Sequence, residues 1–468
     1  MNLRSLKISL LTFMLFFASI VTFAQEHSTA GKTIFGTKLE SINPENGLIR
    51  CVSSEYEKHL HKTAEDRASI EEFEAWLAPK VEAVKQRMLN STDDEPTIIT
   101  IPVVVHVIHN GRNVGTLENI SDAQVMSQIT ALNQDFRRML YTPGYNENPI
   151  GADIGIEFCL AQTAPDGTAT TGINRVNFGV AQFTSESVVE NQLKPQTIWD
   201  PTQYFNIWVV KFGNTGNLGG VLGYAQFPTG STLLGLGGSP STANTDGVII
   251  DYRAFGSSSI APGQYYQTYD KGRTATHEIG HYLGLRHIWG DNGSCTVNTI
   301  DSFQDFCPDT PAANAANYDC FQQYNSCSLA PGNDMTENYM DYSNDECMST
   351  FTLDQKARII AVLQNSPRRS TLTTSTVCSS LGSENFDLNK GLGIYPNPAN
   401  NVINIAVGSS DVLPTSYTIF NTIGQVVAVK NVSSVSDLQI DINSITTGVY
   451  FIKIDRQNAS KTFKFIKK

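Results

Sequence analysis

The sequence predicts a mixed α/β (α+β) domain with a twisted sheet and a loop-rich, disulfide-bonded lower half, with a helical segment before it and a small β-sandwich after it. Three observations carry this. From Thr97 onward, runs rich in β-branched residues alternate with long helical patterns. Five of the eight cysteines (Cys295, Cys307, Cys320, Cys327 and Cys347) crowd into one turn-rich stretch. From Leu392 to Lys468, short alternating strands recur between turn residues, as in a sandwich with its own core. At 468 residues the chain exceeds one ordinary core. It divides by composition at 1–24, 25–90, 91–380 and 385–468. Hydrophobic content of 40% and charged content of 17% describe globular protein. The formal net charge of -12 argues against a nucleic-acid partner, for which a basic face is wanted, and suits calcium or cationic substrates.

Arg4 and Lys7 precede an apolar run from Ile8 to Phe23, and Thr22-Phe23-Ala24 ends it in the pattern of a cleavable signal peptide. A membrane anchor is the competing reading; no other stretch is long and apolar enough to span a bilayer. Export would expose the cysteines to an oxidising compartment. Residues 25–90 read as a loop and then a helical stretch, Glu65 to Met88, in which Ile70, Phe73, Trp76, Leu77, Val81 and Val84 recur at helical spacing and Pro79 interrupts. Ile98 to Ile108 reads as a strand, with His106 and His109 as structural residues on it. Ser121-Asp122-Ala123-Gln124 resembles a capping box opening a helix through Leu132 and Phe136. Further strands are expected at Gly155–Leu160, Tyr204–Phe212, Gly223–Phe227 and Gly247–Asp251. Glycine, serine and threonine dominate between Gly213 and Thr245, as on the rim of a cleft. Residues 379–384 read as a linker.

The chemistry centres on His277-Glu278-Ile279-Gly280-His281-Tyr282-Leu283-Gly284-Leu285-Arg286-His287. On one helix, His277 and His281 leave the same face one turn apart, so their imidazoles can share a metal. Glu278 suits a general base beside that metal. A continued helix would carry His287 roughly 15 Å from His277, too far for metal–nitrogen bonds of about 2 Å. The chain must turn back, and Gly284 can take the left-handed backbone that the turn needs. A bare HExxH arises by chance in unrelated helices, but two further fixed positions leave little room for a set of core histidines. The extended pattern is the metzincin zinc signature, and Asn338-Tyr339-Met340-Asp341-Tyr342 supplies its Met-turn, with Met340 beneath the histidines. A helical region between a signal peptide and such a core is the natural place for a propeptide. Cys51, within Ile49-Arg50-Cys51-Val52, is a candidate fourth zinc ligand in a latent form; the competing reading makes it a disulfide partner.

With these residues in place, the stretch from Thr97 to Cys378 resembles the pappalysin family of metzincins. The resemblance extends to Gly223-Tyr224-Ala225-Gln226-Phe227-Pro228, Trp289-Gly290-Asp291, Asp309-Thr310-Pro311 and Cys347-Met348. It implies a secreted zinc endopeptidase acting on proteins or peptides. His277, His281 and His287 would be the ligands, Glu278 the general base and acid, and Tyr342 the oxyanion stabiliser. Tyr224 lies on the strand expected to receive an extended substrate. Asp345 would line the pocket for an arginine or lysine just after the scissile bond, with Asp341 and Glu346 as neighbouring alternatives. That preference would fit self-activation by a cut just before Arg87. The family pattern further implies disulfides Cys295–Cys327 and Cys320–Cys347, with Cys307 as a departure. It also implies structural calcium at Asp305 and Thr310 with the Pro308 carbonyl, although the preceding loop is enlarged and a solvated loop is the competing reading. Cys159 with Cys378 is a further pairing to examine.

The terminal stretch, with Tyr395-Pro396-Asn397-Pro398-Ala399 and a lysine-rich end, resembles the immunoglobulin-like sorting domain of type IX secretion. That implies the type IX machinery as a partner, no membrane span in the mature chain, and release or attachment at the outer cell surface. A carbohydrate-binding or adhesive sandwich is the competing reading. For the whole chain the alternative is an adhesin with a structural zinc site, but such sites are closed by four protein ligands, whereas only three are evident here, with an intact acid beside them.

Overall fold

The computed structural model describes residues 31–39, 41–64, 67–90, 98–230, 240–291, 295, 305–378, 393–406, 413–456 and 459–468. The stretches expected to be a signal peptide (1–24) and a linker (379–384) lie outside these residues. The chain forms two compact units, Met1–Leu381 and Gly382–Lys468.

The first unit opens on a hairpin, β1 (Thr33–Ile34) and β2 (Thr37–Lys38), followed by α1 (Ser53–Thr63) and α2 (Ile70–Asn90). α1 replaces the expected loop. α2 runs straight through Pro79, which was expected to interrupt it. An internal proline costs a helix about 3 kcal/mol. Here Phe73, Trp76, Leu77 and Val84 bury one face of α2 against Ala357, Ala361 and Val362 of a later helix, and that burial outweighs the cost.

The central sheet contains β3 (Ile99–His109), β4 (Ile156–Leu160), β5 (Ile173–Asn177), β6 (Phe205–Val210), β7 (Gly223–Ala225) and β8 (Val248–Asp251). The order is β4-β3-β6-β8-β7. β4 and β5 share one side of the long β3, and only β7 runs antiparallel. β3, β6 and β8 are almost wholly buried, so they read as continuous apolar runs, as covered parallel strands do. His106 is buried in this core, bonded on both ring nitrogens to Asn206 (2.8 Å) and Asn174 (2.9 Å). α3 (Asp122–Phe136) starts at the expected Ser121 cap, whose hydroxyl accepts from the Gln124 N–H.

α4 (Arg273–Tyr282), the histidine helix, packs under β7 and β8, every residue buried. α5 (Leu353–Asn365) opens on a Thr352–Gln355 capping box and carries the face covered by α2. Disulfides join Cys295 to Cys327, Cys320 to Cys347, and Cys159 to Cys378. Cys51 and Cys307 are free and buried.

The second unit pairs a three-stranded antiparallel sheet with a four-stranded one, the latter built on strands Ser416–Asn421, Val426–Asn431, Gly448–Arg456 and Ala459–Lys467. Ile403, Ile405, Ile419, Ile440, Ile452, Ile454 and Phe465 fill its own core.

Candidate active site

Gly284 takes φ +93°, and the chain leaves the end of α4 and folds back. His287 thereby reaches the pair on the helix: Nε2 of His281 lies 3.1 Å from that of His277 and 3.0 Å from that of His287. Each imidazole is oriented from behind. His277 Nδ1 donates to the Tyr339 carbonyl (2.7 Å), His281 Nδ1 to the Leu285 carbonyl (2.8 Å), and His287 Nδ1 to the Asp291 carboxylate. The three Nε2 lone pairs therefore face one point, the donor set that zinc takes. Burial, the largest influence, pulls His277 and His281 below the ordinary histidine range and keeps them neutral, as ligands must be. At His287 burial acts the same way, but Asp291 outweighs it and raises the ring. Met340 is buried beneath, its sulfur against Gly280, where a Cβ would collide with it.

The fourth side of the point is taken by the N-terminal segment. Cys51 Sγ lies with the three imidazoles in a cluster whose candidate ligand atoms are all within 4.8 Å of one another; it is the one such group among the described residues. Burial first, then the adjacent Glu278, pushes the Cys51 thiol well up, so only a cation at this cluster would make it a thiolate. Glu278 Oε2 accepts from Ser53 Oγ (2.7 Å) and from Cys51 Sγ (3.3 Å), while Oε1 is buried with no partner. Burial raises Glu278 to about 7, where a carboxylate can both take and give a proton. The Tyr342 hydroxyl donates to the Cys51 carbonyl (3.2 Å), and its ring packs on those of His277 and His287.

The segment lies along the sheet's open edge. Ile49 pairs in parallel with Val221; its N–H donates to the Gly220 carbonyl, its carbonyl accepts from Leu222, and Val52 N–H donates to Gly223. Ser53 Oγ accepts from Ala225 N–H (2.8 Å). The edge uses its main chain for this, while the Tyr224 side chain is buried on the other side, its hydroxyl on Glu190 (2.6 Å) and its ring beside Phe35 and Tyr56.

Arg50 enters a buried pocket beyond the cluster. Nη2 donates to Asp345 Oδ1 (2.9 Å), Nη1 to the Ser343 carbonyl (3.2 Å), and the guanidinium lies 4.8 Å from the Tyr269 ring centroid. Asp345 Oδ2 accepts from the N–H groups of Lys271 (2.9 Å) and Arg273 (3.1 Å), tying the pocket floor to the start of α4. Of the alternative acids, Asp341 is bonded to Asn317 and Glu346 is exposed. Asp305 is buried, its carboxylate accepting from Thr310 Oγ1 (2.8 Å) and Cys307 N–H (3.0 Å). Arg50, Ser53 and Asp291 were given no role from sequence. Only Asp291 had a local signal, a carboxylate four residues after His287.

Fold and site together define a metal-dependent peptidase, and comparison with known proteins agrees. Residues 253–364 match the family model described as pregnancy-associated plasma protein-A, and residues 393–468 match that of the secretion system C-terminal sorting domain. An extracellular metalloprotease of Arthroderma otae is 32% identical over 274 residues, 58% of this chain and 81% of that protein. One from Pyricularia oryzae is 31% identical over 261 residues, 56% of this chain and 74% of that protein. Among solved structures, Tannerella forsythia mature mirolysin in complex with a cleaved peptide is 37% identical at TM-score 0.50, covering 60% of this chain and 97% of that one. A promirolysin variant from the same organism is 33% identical at TM-score 0.51, covering 69% and 97%. The chain belongs to the pregnancy-associated plasma protein-A (pappalysin) family of zinc metalloproteases. Exported through type IX secretion, it works outside the cell or on its surface, and the adhesin alternative is set aside.

Proposed function

We propose that this enzyme is made as a latent zymogen, with 25–90 as its propeptide, and that it cuts peptide bonds just before arginine or lysine. One observation carries both halves: Arg50 sits on the Asp345 carboxylate while the next residue, Cys51, closes the three-histidine cluster. A pocket that pairs a buried guanidinium with a buried carboxylate suits a basic substrate side chain, and a thiol on the fourth side leaves no room for water. In this reading His277, His281 and His287 hold zinc, with Cys51 the fourth ligand until the segment leaves. Zinc, when bound, supplies a Lewis acid for a water and for the scissile carbonyl. Glu278, freed of Ser53 and Cys51, takes a proton from the attacking water and returns it to the leaving nitrogen. The Tyr342 hydroxyl, released from the Cys51 carbonyl, donates to the developing oxyanion. A peptide takes the segment's place on the Gly220–Ala225 edge. Structural calcium beside Asp305 and Thr310 belongs to the same proposal; protein stripped of metal and reloaded with zinc should then melt at a higher temperature once calcium is added.

Mapping cut sites in a digested proteome tests the specificity. Arginine and lysine should dominate the position after the cut. Asp345→Asn keeps an oxygen for Lys271 and Arg273 but removes the charge, so the basic preference should fall about 100-fold with activity on other sequences retained. An unselective parent enzyme would refute the pocket assignment.

A further inference from the structure

The N-terminal segment is held by more than the active-site cleft, and α2 makes the second set of contacts. Its Glu74 carboxylate, 7% exposed as a residue, bridges two guanidinium groups: Arg286 Nε at 3.0 Å, and Arg358 through Nη1 (2.7 Å) and Nη2 (2.5 Å). Arg286 precedes His287, and Arg358 Nε donates to the Gly284 carbonyl (2.6 Å), so the bridge grips the turn that brings the third histidine into place. Along the helix, Phe73, Trp76, Leu77 and Val84 lie on Ala357, Ala361 and Val362 of α5. At the far end Lys85 pairs with Asp354 (2.6 Å) and Arg87 donates to Gln364 (2.6 Å). An acidic end on two arginines, a basic end on an acid and an apolar stripe between them fix both chemistry and direction. None of these contacts involves Cys51 or Arg50.

We propose that this face of the catalytic unit (Ala357, Ala361 and Val362 with Arg286, Arg358 and Asp354) is a docking groove for an amphipathic helix that is acidic towards its start and basic towards its end. Its occupant is α2 of this same chain, which stays bound after the chain is cut behind it. This rests on the zymogen reading above and deepens it: cleavage and activation are separate events. A cut beyond Asn90 leaves the propeptide seated, and release follows only when α2 itself is lost. A cut before Arg87 falls in the last turn of α2, which must first unwind.

The test uses the full chain with a foreign protease's recognition sequence inserted between Asn90 and Ile98. Cys51→Ala and Glu278→Ala are added so that neither the thiol nor self-digestion contributes. After nicking, timed gel filtration measures how fast the N-terminal fragment leaves. The parent should keep it through the run. Glu74→Gln removes the carboxylate charge shared by the buried Arg358 and the part-buried Arg286 and should speed its loss about 100-fold or more. Trp76→Ala, read in the same way, serves if Glu74→Gln does not fold. Prompt loss from the nicked parent, or variants that hold the fragment as firmly as the parent, would overturn the proposal. The zymogen reading is judged separately, by the activity of an un-nicked chain carrying Cys51→Ala alone.

Discussion

Cys51 and Arg50 are neighbours in the chain that meet two different sites, the three-histidine point and the Asp345 pocket. The account assigns latency to the first contact. Cys51→Ala should therefore produce an unprocessed chain that cleaves peptides, where the parent stays silent until its N-terminal segment is removed; comparing intact chains on a short fluorogenic peptide with arginine after the cut would show it. An inert intact variant that becomes active once processed would move latency away from the thiol. The grouping of the candidate residues was legible at this scale because they are written locally: His277, Glu278, His281 and His287 fall within eleven residues, and Met340, Tyr342 and Asp345 within six. Arg50 was not legible, because its partner Asp345 lies 295 positions away and only the fold joins them.

Among the elements, α4 is fixed at both ends. Asp345 accepts from its first N–H, that of Arg273, and Arg369 binds the Tyr282 carbonyl at its end (2.7 Å). Arg369 and Arg368 share the buried Asp246 at 2.8 and 2.6 Å. Burial opposes the charge on Asp246, but the two arginines outweigh it and hold the carboxyl below its ordinary range. Such a group stabilises the fold fully above the ordinary carboxylate range, and the contribution is lost as pH falls through the lowered folded-state value. Asp246→Asn should cost about 3 kcal/mol at neutral pH and progressively less in acid, seen as melting curves of variant and parent that converge as pH drops. A gap that stays constant with pH would contradict this. Most strands of the sheet were expected near where they lie, β3 most clearly from its β-branched run, but β5 was missed because its half-exposed Ile173–Asn177 shows no apolar alternation. α1 was missed because its buried face is largely polar, including Ser53, Ser54, Glu55 and Glu57. The Thr352–Gln355 capping box that opens α5 was a readable signal left unused. Pro79 misled because local cost was weighed without the apolar face that α2 buries.

At the level of the whole molecule, the sandwich has its own core, and none of its described residues belongs to the histidine cluster. Removing 393–468 should leave peptidase activity of the purified, processed enzyme unchanged within about twofold and strand the protein in the periplasm. Normal export of the truncated chain, read by fractionation, would contradict the sorting role.

The claim beneath all of this is that three imidazoles hold the metal while Glu278 moves the proton. The direct measurement is zinc content alongside turnover for the processed enzyme and its Glu278→Gln variant. One zinc per chain in both, with turnover lower by a factor of about 10,000 or more in the variant, is the predicted result. Substantial turnover in a variant that retains its zinc would contradict the account.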